Sequence, residues 1–128
     1  MALRILVVDD SPVMRKMIIR TIKLAGLEVD SIFEAGNGKE GLEMLDEHWI
    51  DILFIDINMP VMDGMEMLEK VRAYPETKDL PVLIISTESN ENRIKIIDEH
   101  GAGFVHKPFT PEMLKNKLEE YLNIEKAV

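Results

Sequence analysis

Asp51-Ile52-Leu53-Phe54-Ile55-Asp56-Ile57-Asn58-Met59-Pro60 is the stretch on which the reading of this chain turns. Ile52 to Ile55 is an unbroken apolar run, the pattern of a strand covered on both faces in a parallel sheet. Asp56 stands where that strand should stop, and Pro60 ends the extended segment soon after. In an open parallel sheet, ligands gather in the crevice outside the carboxyl ends of the strands. An aspartate at that place is either the cap of the next helix or a reacting group. The other strand ends decide between them.

Upstream, Arg4 to Val8 is a second buried run that ends in Asp9-Asp10. Ser11 and Pro12 follow as an N-cap and a first-turn proline, predicting a helix to about Ala25. Its buried face is expected to comprise Met17, Ile18, Ile22 and Ala25, with Gly26 as the stop. Glu28 to Ala35 is a more polar strand suited to a sheet edge. Asn37-Gly38 predicts a turn, and Gly41 to His48 a helix carrying Leu42, Met44 and Leu45.

Downstream, Met62-Asp63-Gly64 reads as a loop leading into a helix with Met65, Leu68 and Val71 on one face. Leu80 to Ile85 is a further buried strand, ending in Ser86-Thr87. Asn90 to His100 is helical, with Ile94 and Ile97 inward and Gly101 as its stop. Phe104-Val105 form a short strand before Lys107-Pro108. Thr110-Pro111 start a last helix whose Leu114, Leu118, Tyr121 and Leu122 face the core. Strands alternating with helices throughout predict an α/β fold with a doubly wound, five-stranded parallel sheet.

At 128 residues the expectation is one domain, residues 1–128. A formal net charge of −9 argues against a nucleic-acid partner, which calls for a basic face. The absence of cysteine excludes disulfides, thiolate metal sites and thiol nucleophiles. No secretion signal or apolar run of membrane-spanning length is present, so a cytoplasmic protein with no membrane partner is expected.

Four groups converge on one edge of the predicted sheet: Asp9-Asp10, Asp56, Ser86 and Lys107. Each alone has a plain structural reading, as a cap, a strand-end hydroxyl or a surface lysine. Together they describe a site. Clustered carboxylates raise one another's pKa unless a cation sits among them, and an all-oxygen donor set suits Mg²⁺. A carboxylate held there can attack phosphorus to form an acyl phosphate. The ammonium of Lys107 and the hydroxyl of Ser86 are fitting donors to the phosphoryl oxygens.

These residues resemble the receiver domains of bacterial response regulators, most closely the stand-alone chemotaxis type. Val7-Val8-Asp9-Asp10, Asp56-Ile57-Asn58-Met59-Pro60, Met62-Asp63-Gly64, Ile85-Ser86 and Lys107-Pro108-Phe109 carry the likeness along the whole chain, in the family's order. The resemblance implies a flavodoxin-like fold with strand order 2-1-3-4-5. It implies that Asp56 is the phosphoacceptor and that a sensor histidine kinase is the donor. It implies Mg²⁺ held by Asp10, Asp56 and the backbone carbonyl of Asn58, with Asp9 acting largely through water. It further implies a cis Lys107-Pro108 bond and a switch pairing Ser86 with Phe104. Asn58 and Glu88 fall at the two positions that tune phosphoryl lifetime in the family.

The chain departs from the family at Thr87, where alanine or glycine is usual, and at Phe104, where many relatives have tyrosine. The bulk of Thr87 would narrow access to the site. The implied output is contact with a flagellar motor switch protein or another downstream protein, with a phosphatase as a further partner. The alternative within the class is a single-domain phosphorelay intermediate. An aspartyl-phosphate phosphatase is disfavoured, because those enzymes place a second aspartate two residues after the nucleophile and this chain has Asn58. The expected activity is therefore limited to the chain's own phosphorylation and dephosphorylation, with no separate substrate.

Overall fold

The computed structural model describes residues 2–87 and 89–122, the last two by their backbone alone. Ten elements alternate strictly: β1 (Leu3–Val8), α1 (Pro12–Leu24), β2 (Val29–Ala35), α2 (Gly38–Glu47), β3 (Ile52–Ile55), α3 (Gly64–Ala73), β4 (Val82–Ser86), α4 (Glu91–Glu99), β5 (Gly103–His106) and α5 (Pro111–Leu122). The strands form one sheet in the order β2-β1-β3-β4-β5, all neighbours parallel. β3 is thus central, and every residue of it is buried. The order changes direction between β1 and β3, the switch point where such sheets open a crevice.

The alternation of side chains along the strands divides the core into two layers. Leu6, Val8, Leu53, Ile55 and Ile84 face the side covered by Leu68, Val71 and Ile97. Ile5, Val7, Ile52, Phe54 and Ile85 face the side covered by Ile18, Ile22, Leu114 and Leu118. Both faces of the sheet are therefore dry, which explains the unbroken apolar runs.

Several sequence expectations need correction. Met17 is not in the buried face of α1: it is 55% exposed. The inward ridge is Ile18, Ile22 and Ala25, and Met17 lies one helical step, about 100°, away from it. Asn37-Gly38 is no turn before a later helix. Asn37 caps α2 directly, its side chain accepting from the Glu40 N–H at 2.9 Å. β4 starts at Val82, because Leu80 and Pro81 belong to the preceding loop. In α3 the fully buried methionine is Met67, whereas Met65 is only partly buried. Ile97 is buried in α4 and Ile94 only in part. The side chains of Tyr121 and Leu122 lie outside the described residues.

Gly26 closes α1 at φ 78°, the left-handed conformation that glycine adopts without strain. Among the described residues no helix is long and apolar enough to cross a membrane.

Candidate functional site

The carboxylates gather because the β1 and β3 connections leave the sheet side by side at the switch point, and the β5 connection brings a lysine within reach of them. Asp9 directly follows β1, Asp56 directly follows β3, and Lys107 directly follows β5. Asp9 is 1% exposed and Asp56 9% exposed, whereas Asp10 faces solvent. One oxygen from each of Asp9, Asp10 and Asp56 lies within 4.8 Å of the others. Lys107 Nζ stands 3.5 Å from Asp56 Oδ1 and 3.7 Å from Asp9 Oδ2. Two buried carboxylates thus share one ammonium, with the third carboxylate beside them.

The local backbone accounts for these positions. Asp9 Oδ1 accepts from the Ser11 N–H at 2.9 Å, while Ser11 Oγ caps α1 at the Met14 N–H. Capping therefore falls to Ser11 and leaves both aspartates for other work. Likewise α3 is capped by Asp63, through the Glu66 N–H, so Asp56 is no helix cap. Gly64 N–H donates to Ile57 O at 2.9 Å. A Cβ on Gly64 would stand 2.3 Å from the Asp56 carbonyl oxygen, so only glycine permits this approach.

Burial pushes the Asp56 carboxyl above its ordinary range, against the opposing pull of Lys107. Burial raises Asp9 as well, with the Ser11 N–H and Lys107 acting the other way. Asp9 Oδ2 is buried and has no hydrogen-bond partner among the described residues. A buried carboxylate oxygen without a donor is costly, and a hard cation satisfies it. The donor set fits a divalent ion.

Ser86 is the last residue of β4 and is buried; its carbonyl accepts the Lys107 N–H at 2.9 Å. It pairs with His106, which places Phe104 one pleat back on the same side of the sheet. Phe104 is half-buried, in edge contact with His106 at 6.1 Å between rings. Asn58 and Thr87 are exposed, and the Lys107–Pro108 bond is cis. Glu88 lies outside the described residues. Less legible in advance was Arg15, whose Nη1 donates to Asp9 O at 2.6 Å and whose Nε pairs with Glu34 at 3.0 Å. Met14-Arg15 is part of the likeness to chemotaxis-type receivers, but that likeness gave no sign of these contacts.

An acid-and-lysine pocket at the switch point of a doubly wound parallel domain has the donor set to hold a cation or a phosphoryl group. Residues 5–119 match the family model described as the response regulator receiver domain, and the chain belongs to that family. A chemotaxis protein CheY homolog of Campylobacter jejuni is 37% identical over 122 residues, covering 94% of this chain and 92% of the relative. The solved chemotaxis response regulator CheY4 of Vibrio cholerae has a TM-score of 0.80 at 35% identity, covering 95% of this chain and all of that one. The receiver domain of a sensor histidine kinase from Pseudomonas aeruginosa, solved with magnesium in its active-site cleft, has a TM-score of 0.82. At 19% identity, over 97% of this chain and 100% of that one, it speaks for the shared fold alone.

Proposed function

We propose that this chain is a phosphorylation-controlled signalling module that accepts a phosphoryl group on Asp56. The observation carrying this reading is the placement of a buried Asp56 beside the Lys107 ammonium and two further carboxylates. An Asp56 carboxylate oxygen attacks phosphorus, and the bond between phosphorus and the donor atom breaks. For a histidine kinase donor that bond is P–N, and the imidazole leaves taking up a proton. Hydrolysis later cleaves the acyl phosphate and returns the carboxylate.

Lys107 is within reach of the phosphoryl oxygens as an ammonium, and the Ser86 hydroxyl ends the neighbouring strand. Asp9, Asp10, Asp56 and the Asn58 carbonyl would hold Mg²⁺, which supplies positive charge to the phosphoryl oxygens. Asp9 would act through water. Arg15 holds the Asp9 main chain in place. Asn58 and Glu88 occupy the sequence positions that set how fast water reaches the acceptor in this family, and the bulk of Thr87 narrows access to it. Residues 1–128 act as one receiver unit, in the cytoplasm, with no separate substrate.

Phosphorylation draws Ser86 toward the phosphoryl oxygens and lets Phe104 turn inward, a shift between two packings of one fold. The affected surface is α4, β5 and α5. Ile94 and Phe104 line a cavity of about 400 Å³ there. A chemotaxis output, through a motor switch protein, is the reading favoured by the chemotaxis relatives.

Incubation with a small phosphodonor, with and without Mg²⁺, followed by intact mass, tests the proposal. One base-labile phosphoryl group is expected, dependent on Mg²⁺ and lost by about 100-fold or more in Asp56→Asn. Equal labelling of that variant would defeat the assignment.

A further inference from the structure

The opposite end of the sheet carries a second built surface. Between the C-terminal end of α2 and the loop joining α3 to β4 lies a groove of about 640 Å³. Its apolar floor includes Leu45, Ile50, Leu80 and Pro81. A continuation of about 500 Å³ shares Leu45, Asp46, Glu76 and Thr77 with it and ends at Tyr74. Five strand residues, roughly 16 Å of extended chain, separate this rim at Asp51 from Asp56. The two surfaces do not overlap.

Two features of the groove point to an occupant. The first is Trp49, 75% exposed yet held in place. Its indole N–H donates to Asp51 Oδ1 at 3.0 Å, and its carbonyl accepts from Arg4 Nε at 2.8 Å. Asp51 is anchored in turn by the Arg4 N–H at 2.8 Å. A large aromatic presented on a fixed mount is the side chain most enriched at the centres of protein interfaces.

The second is charge. Asp46, Glu47, Asp51, Glu76 and Asp79 line the groove, and among the described residues His48 is its only basic lining residue. Asp46 and Glu76 have no ion-pair partner among the described residues. α2 and α3 both end here, at Glu47 and Ala73, so the negative ends of two helix dipoles add to the carboxylates. The surface is matched to positive charge.

We infer that this groove docks a lysine- or arginine-rich segment of a partner protein, whose apolar side chain enters between Trp49 and Tyr74. A guanidinium or ammonium over the Trp49 face gains a cation–π contact, and Asp46 and Glu76 take the flanking charges. Because the groove is remote from Asp56, docking there proceeds whether or not Asp56 is modified, and it acts as a tether.

Trp49 is the only tryptophan, so its emission reads the groove directly. The probe is a ten-residue peptide of alternating lysine and arginine around a central Leu-Phe, with a control in which glutamate replaces every basic residue. A saturable emission change is expected with the basic peptide, with Kd on the order of 10–100 μM at 50 mM salt and several-fold weaker at 300 mM. The exposed double change Asp46→Lys with Glu76→Lys should weaken binding about tenfold or more. Trp49→Ala, followed by calorimetry, should do the same, while Asp56→Asn binds as wild type. An equal response to the acidic peptide, or undiminished binding by the charge variants, would overturn the inference. So would self-association abolished by Trp49→Ala, which would make a second copy the occupant, or the same emission change with Mg²⁺ alone.

Discussion

The two ends of the parallel sheet treat buried charge in opposite ways. At the amino-terminal end, Arg72 is half-buried and reaches main-chain carbonyls. Its Nε donates to His100 O at 2.6 Å and its Nη1 to Leu80 O at 2.7 Å, with longer contacts to Thr77 and Gly101. At the carboxyl-terminal end, Asp9 and Asp56 share one lysine, and Asp9 Oδ2 has no hydrogen-bond donor among the described residues. Burial disfavours the charged form in all three cases, lowering Arg72 and raising the two aspartates. Only the arginine is compensated by a full set of partners. One end is a staple joining α3, α4 and the loop before β4; the other is left short of positive charge, which suits the proposed cation and phosphoryl site.

The largest expected effect falls on the staple. Arg72→Ala leaves several carbonyls without their donor and removes packed alkyl chain, so a loss of about 2–3 kcal/mol is expected in urea denaturation. Arg72→Lys should recover less than half of that, since a single ammonium cannot replace the guanidinium fork. A loss below about 0.5 kcal/mol would erase the contrast between the two ends.

The charged end should respond with the opposite sign. The folded-state pKa of Asp56 and of Asp9 lies above the unfolded value of roughly 3.9, so the native state holds its protons longer. Stability therefore falls as pH rises between those two values, and the penalty is complete above the folded one. Asp56→Asn should accordingly raise stability by on the order of 1 kcal/mol at pH 7, with the gain vanishing below roughly pH 4. Mg²⁺ at ten times its Kd should stabilise the wild type by about 1.4 kcal/mol and the variant by less. A destabilised Asp56→Asn would mean that the Lys107 pairing outweighs burial.

This contrast also marks what was legible in advance. Apolar runs and their terminal polar residues were enough to locate the strands and to bring Asp9, Asp10, Asp56 and Lys107 to one edge. Periodicity was less reliable where one helical step separates core from solvent, as for Met17 and Ile18, or Met65 and Met67. The Arg72 staple was not legible, because its partners are carbonyls of residues 77, 80, 100 and 101, and main-chain acceptors leave no trace in side-chain identity. The same holds for Arg15 and the Asp9 carbonyl.

The smallest expected effect sharpens the comparison, because it asks whether the charged end is also strained in its backbone. Val61, in the loop between β3 and α3, has φ 68°, and the Met62 N–H donates to Pro60 O at 2.7 Å. That bond closes a three-residue turn around a β-branched residue in a region such residues avoid. Val61 is 78% exposed, so burial does not offset the strain. Val61→Asn should therefore stabilise by about 0.5–1 kcal/mol, read as a rise of a few degrees in Tm. Val61→Gly should gain less, because glycine also loosens the unfolded chain. Phosphorylation of Asp56 should change by less than about twofold, since the loop is pinned on both sides of Val61. Gly38 N–H reaches Met62 O at 3.1 Å, and Gly64 N–H reaches Ile57 O at 2.9 Å. If neither variant gains stability, the turn carries no strain, and the difference between the two ends of the sheet reduces to charge alone.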